Sequence, residues 1–407
     1  MTFRFASFIA VYFLTSTLCA DDPVVDLAKW LEQDFGKRAK LAEQSFADAS
    51  LTRDQADKAS ELLLKDFQER IKKERQQQWK DREIKLGNHS MKFAFRVFGE
   101  KPKTGRSLYI SMHGGGGAPA RVNDQQWQNQ IRLYEPKEGV YLAPRAPTNT
   151  WNLWHQSHID EFFEWIIESA IVFEGVDPNK VYIMGYSAGG DGVYQLAPRM
   201  ADQLAAAAMM AGHPNDASPL GLRNIGFTLH MGGKDSAYNR NGIAREWKKK
   251  LAELEKNDPG AYKHEVVIHE QYGHWMQRDD RVAVPWMAKF TREANPQKIV
   301  WRQASTTHDR FYWLAADKEH RKNGSLIVAE RDGQTFAISK MENLNKVTLR
   351  LNDTLVDLNK EVVVKTPDGE KKTSKATRKI STIFKCLSER VDPSAIYSAE
   401  LTVPFSK

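Results

Sequence analysis

Val181-Tyr182-Ile183-Met184-Gly185-Tyr186-Ser187-Ala188-Gly189-Gly190 runs from a short apolar stretch into a cluster of small residues around one serine. The apolar residues read as a buried strand. The small residues let the chain turn sharply from strand to helix, which lifts the serine hydroxyl to the top of a sheet. A bare G-x-S-x-G pattern also arises by chance in structural turns. Here strand, turn and a following helical pattern occur together, so Ser187 is the candidate nucleophile. The backbone N–H of Ala188 would face a carbonyl oxygen as it becomes negative, and the helix N-terminus adds a favourable dipole.

Upstream, the strand 108–112 ends in His113-Gly114-Gly115-Gly116-Gly117. Consecutive glycines carry a large entropic cost on folding. They are expected where backbone N–H groups must come close to a ligand, so Gly114 or Gly115 is the second oxyanion donor. His113 is expected to brace this loop. The rival reading is a flexible surface turn.

A serine nucleophile needs a base, and the base an orienting acid. On a strand–elbow–helix scaffold these follow the serine in the order acid, histidine. The strand 227–231 leads into Gly232-Gly233-Lys234-Asp235, which puts Asp235 just past a strand end. The strand 265–269 leads into Gln271-Tyr272-Gly273-His274-Trp275, where Gly273 lets the loop bend back. Asp235 and His274 are the expected pair. Asp191 and Asp216 compete for the acid, but one lies too near the elbow and the other follows the preceding strand. His230, His264 and His269 lie within strands, where packing or hydrogen bonding is expected.

Short apolar runs at 108–112, 140–143, 181–184, 205–210, 227–231 and 265–269 alternate with helical patterns such as 159–173 and 243–254. That alternation predicts an α/β fold, a mainly parallel sheet covered by helices over 86–295. Residues 21–85 carry helical spacing, with a capping-box start at Thr52 and Gln55. They are expected to form a helical lid, clamp or spacer. After Asn295-Pro296 alternating runs separated by Asn323-Gly324, Asp332-Gly333 and Pro367-Asp368-Gly369 predict a small antiparallel β module over 296–407. Its aromatic run Arg310-Phe311-Tyr312-Trp313-Leu314 is expected to be core.

The first 20 residues hold Arg4, an apolar run and small residues before Asp21-Asp22, the pattern of a cleaved signal peptide. The expectation is a secreted or periplasmic protein without a membrane span after cleavage. Cleavage would leave Cys386 as the one cysteine, so no internal disulfide is expected. The 59 basic and 52 acidic residues give a net charge of +7 in 407 residues. The basic runs lack interleaved aromatics, so nucleic-acid binding is not expected.

His113 to Gly117, Asp177-Pro178-Asn179-Lys180-Val181-Tyr182 leading into the elbow, and Tyr272-Gly273-His274 together resemble the polyhydroxybutyrate depolymerase/feruloyl esterase-like branch of the α/β-hydrolases. Bacterial dienelactone-hydrolase-like esterases are also similar, often with Cys where this chain has Ser187. The resemblance covers roughly 86–295. It implies cleavage of a carboxylic ester, small or polysaccharide-linked, through an acyl-enzyme, with no metal or organic cofactor. The chain departs from extracellular polyester depolymerases in lacking disulfide-capable cysteines and a Thr-rich linker.

Trp127, Trp151, Trp154 and Tyr186 are the candidate substrate-contacting aromatics, since the loops that carry them follow strand C-termini. The three tryptophans either stack on a sugar or aryl acid or pack on the sheet rim. His155, His158 and Asp160 are ligand-type side chains without a matching motif, and no metal is expected. Two rival functions remain on the sequence: a prolyl-oligopeptidase-like peptidase, which usually carries a β-propeller, and a non-catalytic binding protein on the same scaffold.

Overall fold

The computed structural model describes residues 22–404. The expected leader at 1–20 lies outside them. No described helix is long and apolar enough to cross a membrane.

Two helices come first, α1 (Pro23–Leu31) and α2 (Arg53–Asp81). The Gln55 amide donates to the Thr52 hydroxyl oxygen, and Gln55 Oε1 accepts from the Thr52 amide. This reciprocal pair satisfies two donors that a helix start otherwise leaves free.

An eight-stranded sheet follows, made of β1 (Glu83–Leu86), β2 (His89–Phe98), β3 (Arg106–Met112), β4 (Gly139–Pro144), β5 (Val176–Tyr186), β6 (Ala206–Met210), β7 (Gly226–Gly232) and β8 (His264–His269). The order is β1-β2-β4-β3-β5-β6-β7-β8. Strands β1 and β2 pair antiparallel, as do β2 and β4; every later pairing is parallel. Helices α3 (Ala120–Gln130), α4 (His158–Glu174), α5 (Ala188–Arg199), α6 (Arg240–Asn257) and α7 (Ala283–Met287) lie along the connections. The central strands are buried along their length, as the continuous apolar runs imply.

The chain then forms two smaller sheets. Strands β9 (Lys298–Arg302), β12 (Leu326–Asp332), β13 (Thr335–Glu342), β15 (Val362–Lys365) and β16 (Lys371–Ser374) make one. Strands β10 (Arg310–Phe311), β11 (Leu314–Ala315), β14 (Lys346–Leu351) and β17 (Ala399–Pro404) make the other. All pairings are antiparallel except β13 with β15. Helix α8 (Ile380–Glu389) precedes the last strand.

The break at 296 separates sheets but not cores. One apolar cluster takes in Leu108 and Ile183 from the large sheet and Trp301, Phe336 and Leu349 beyond it. The aromatic run at 311–314 is buried within this cluster. Buried ion pairs cross the same boundary: Arg292 to Asp392 at 2.6 Å and Arg390 to Asp202 at 2.6 Å. Removing one partner of such a pair leaves an uncompensated buried charge, so these contacts hold the register of the two parts.

The N-terminal helices share a second apolar cluster with α8, through Leu27, Leu63, Phe67, Ile383 and Leu387. Helix α2 also reaches α4, where Arg75 pairs with Glu168 at 2.9 Å. These contacts fasten the segment to both α8 and α4.

Candidate active site

Ser187 sits at the junction of β5 and α5 with φ 57° and ψ −121°. A non-glycine residue rarely adopts this conformation, and it is held by the neighbouring backbone. The Ser187 amide donates to the Met210 carbonyl at 2.9 Å, and the Ser187 carbonyl accepts from Asp191 at 3.0 Å. The flanking glycines are forced by space. A β-carbon on Gly185 would strike the backbone of Gly189, and one on Gly189 would strike the carbonyl of Met112.

Three loops converge on this serine. Asp235 follows β7, is buried, and its Oδ2 lies 2.7 Å from His274 Nδ1. His274 Nε2 lies 2.9 Å from Ser187 Oγ. A carboxylate only accepts, so Nδ1 carries the proton and Nε2 is left to accept from the serine hydroxyl. The loops after β7 and β8 are tied together: Gly233 N–H donates to the His269 carbonyl and Lys234 N–H to the Tyr272 carbonyl, both at 2.9 Å. Arg240 approaches the other Asp235 oxygen at 3.4 Å.

The glycine loop closes the third side. Gly114 comes close enough that a β-carbon there would meet the Ser187 Cβ at 3.1 Å. The Gly116 amide is taken by Asn123 Oδ1 at 2.8 Å, while Asn123 Nδ2 donates to the Ala118 carbonyl and Asn149 Oδ1. Beneath the loop His113 Nε2 accepts from the Ala146 amide, so Nδ1–H donates to the Gly114 carbonyl. Burial lowers this imidazole to about 4, which keeps it neutral. Ala188 is the first residue of α5, and its amide has no acceptor within the helix.

The competing residues are engaged elsewhere. His230 is buried between Thr228 and His269, and His264 contacts the Tyr262 carbonyl. Asp216 accepts from Gln195, and Asp191 from the His213 amide. Burial raises Asp191 to about 7. Asp160 is paired to Arg199 and His308, while His158 stacks on His89. His155, His158 and Asp160 are therefore not gathered into a ligand set.

Burial divides the four aromatic candidates. Trp154 is fully buried, and its indole N–H donates to the His113 carbonyl at 2.9 Å. It supports the glycine loop from below and has no face for a substrate. Trp127 is half-buried and spends its N–H on the Ala143 carbonyl, which is the rim-packing reading. Tyr186 is buried against the loop that carries His274. Trp151 remains, 64% exposed beside Gly117. Trp275, outside those four candidates, is 50% exposed with its ring 5.4 Å from Tyr186. Its position next to His274 was the available signal. Asn123 also serves the site, within the run 123–127 that ends in Trp127, and so does Arg240, which no local pattern marks.

Residues 140–306 match the Dienelactone hydrolase family. The dienelactone-hydrolase match begins at β4, so it takes in the elbow, Asp235 and His274 but not the glycine loop. With the eight-stranded sheet it identifies the fold as that of the α/β-hydrolases, as the resemblance implied. No curated protein matches the chain. Among solved structures, a thermostable esterase is 17% identical over 52% of this chain and 64% of its own, with a TM-score of 0.38. Esterase 2 of Thermogutta terrifontis is 18% identical over 51% and 89%, with a TM-score of 0.34. A ferulic acid esterase is 14% identical over 49% and 97%, with a TM-score of 0.32.

Proposed function

We propose that this chain is an exported serine hydrolase that cleaves carboxylic esters through an acyl-enzyme. The observation that carries the reading is His274, which spans Ser187 Oγ and Asp235 with one ring nitrogen to each. His274 Nε2 takes the proton as Ser187 Oγ attacks the ester carbonyl. Asp235 holds the tautomer and stabilises the imidazolium that forms. The amides of Ala188 and of Gly114 or Gly115 stabilise the oxyanion. As the tetrahedral species collapses, the alcohol leaves with the proton from His274. Water then attacks the acyl-serine, gives its proton to His274, and the acid departs as Ser187 recovers its hydrogen.

Trp151 on the glycine-loop side and Trp275 on the histidine side give the rim two exposed aromatic faces. Such faces suit a sugar or aryl group on one side of the ester. This supports a small or polysaccharide-linked ester as substrate. A fluorophosphonate probe tests the reaction class: wild type should label and Ser187→Ala should not. A folded wild type that resists labelling would sink the reading. A panel of acetylated sugars, feruloyl esters, short hydroxyalkanoates and peptides then ranks the substrate classes.

A further inference from the structure

A groove of about 610 Å³ opens between the segment joining α3 to β4 and the segment that follows His274. Its lining includes the buried rings of Tyr109 and Tyr134, the apolar side chain of Val284, and four cations: Lys137, Arg278, Arg281 and Lys289. All four cations are exposed, and none makes an ion pair or side-chain hydrogen bond with a described residue. Two acids share the groove, and one of them is neutralised by an ion pair. Glu135 pairs with Arg96 at 2.9 Å, and Glu138 accepts from the Ser107 hydroxyl. Asp279, next in the chain to Arg278, accepts from the Tyr272 hydroxyl at 2.8 Å.

The four cations outnumber the carboxylates of Glu138 and Asp279, which accept from neutral donors and keep their charge, so the concavity carries a positive field that attracts anions. Their separation over four side chains suits several anionic groups rather than one. Arginine matches a carboxylate with two parallel hydrogen bonds. The apolar lining between the charges matches a ligand with C–H faces. The tyrosine rings are buried, so the groove has no free aromatic face on which nucleic-acid bases would stack. A concave groove fits a chain rather than a flat membrane surface. We propose that it binds a carboxylate-bearing oligosaccharide.

This binding site stands apart from the chemistry at Ser187, although both use one loop. Arg278 lies four residues past His274, and the Met276 amide between them donates to Tyr186 Oη at 2.9 Å. Gln277 and Arg278 both hold positive φ, 52° and 68°. Consecutive non-glycine residues in that region cost about 1 kcal/mol or more each and turn the chain from the serine towards the groove.

Calorimetric titration of the full chain with trigalacturonate, which carries three carboxylates, tests the assignment. Wild type and Ser187→Ala should bind equally, which separates this site from the ester-cleaving one. The double variant Arg278→Gln/Arg281→Gln, and independently Lys137→Gln/Lys289→Gln, should weaken binding at least tenfold with unchanged melting temperature. Affinity should fall as salt rises. Equal binding of uncharged maltotriose would overturn the proposal. So would equal binding of a tri-glutamate peptide, which would mark a peptide site, or no binding of trigalacturonate at millimolar concentration.

Discussion

The phenolic oxygen of Tyr186 donates a hydrogen bond to the carbonyl oxygen of His274 at 2.7 Å. It also accepts one from the Met276 amide at 2.9 Å. Tyr186 precedes Ser187 in the chain, so a single side chain ties the Ser187 elbow to the loop that carries the proposed base. Tyr186→Phe keeps the ring against Trp275 and removes both bonds. The expected outcome is a 10- to 100-fold loss in kcat with little change in KM, since the Ser187–His274 distance is no longer held. Denaturant titration should show a loss of about 1–3 kcal/mol, because the Met276 amide and His274 carbonyl lose their partner. Unchanged kcat would remove Tyr186 from any positioning role.

Asp235 is the second test of the proposed chemistry. In Asp235→Asn the amide nitrogen can face His274 Nδ1 as a donor, which favours the tautomer with its proton on Nε2. That nitrogen then cannot accept from Ser187. A loss of about 10⁴ in kcat is expected. Fluorophosphonate labelling should slow in parallel while the melting temperature shifts little. Labelling at the wild-type rate would assign the acid elsewhere.

The two tryptophans of the loop after β4 should separate cleanly. Trp154→Ala empties a fully buried site and cuts the support under His113, so a loss of about 3–5 kcal/mol is expected. Trp151→Ala removes an exposed ring and should cost under about 0.5 kcal/mol. If Trp151 contacts the substrate, its removal raises KM on sugar or aryl esters. Equal KM for both variants on every ester would clear Trp151 of that role.

Stability should depend on pH through groups outside the proposed triad. Burial lowers His113 to about 4 and His230 to about 3. Below pH 6.5 the unfolded chain takes up protons that these folded imidazoles refuse. Their contribution is therefore complete above pH 6.5 and is lost as pH falls towards 4. Asp191 acts oppositely. Its folded value near 7 means the native state holds a proton that the unfolded chain releases from about pH 4 upward. Stability from Asp191 is present below pH 4 and is lost as pH rises through 7. Asp191→Asn keeps the oxygen that accepts from His213 and removes this loss. Denaturation midpoints measured from pH 4.5 to 8 should rise more steeply with pH for the variant than for wild type. The gap should level off above pH 7. A constant gap would show that Asp191 is ionised throughout.

The elbow was legible in the sequence because its constraints are local. Gly185 and Gly189 must be small because each packs on backbone within a few residues or on the adjoining strand. The order of Ser187, Asp235 and His274 follows from where strands end, and strand ends are marked by glycines. The parallel sheet was legible for the same reason, since its buried strands leave apolar runs of strand length bounded by turn residues. Burial of single aromatic residues was not legible. Trp151 and Trp154 share one loop and one residue type, yet one is exposed and the other carries the glycine loop.

The sequence by itself determined the turn that lifts Ser187 and the α/β layering that supplies its partners. Both depend on residues close in the chain and on the period of apolar side chains. The tertiary structure alone decided what meets across long separations. It placed α8 in one core with α1 and α2, turned Tyr186 from the substrate to the histidine loop, and gathered Lys137 with Arg278, Arg281 and Lys289 around one groove. Those contacts depend on which surfaces pack together once the sheet has formed, and no local spacing records that.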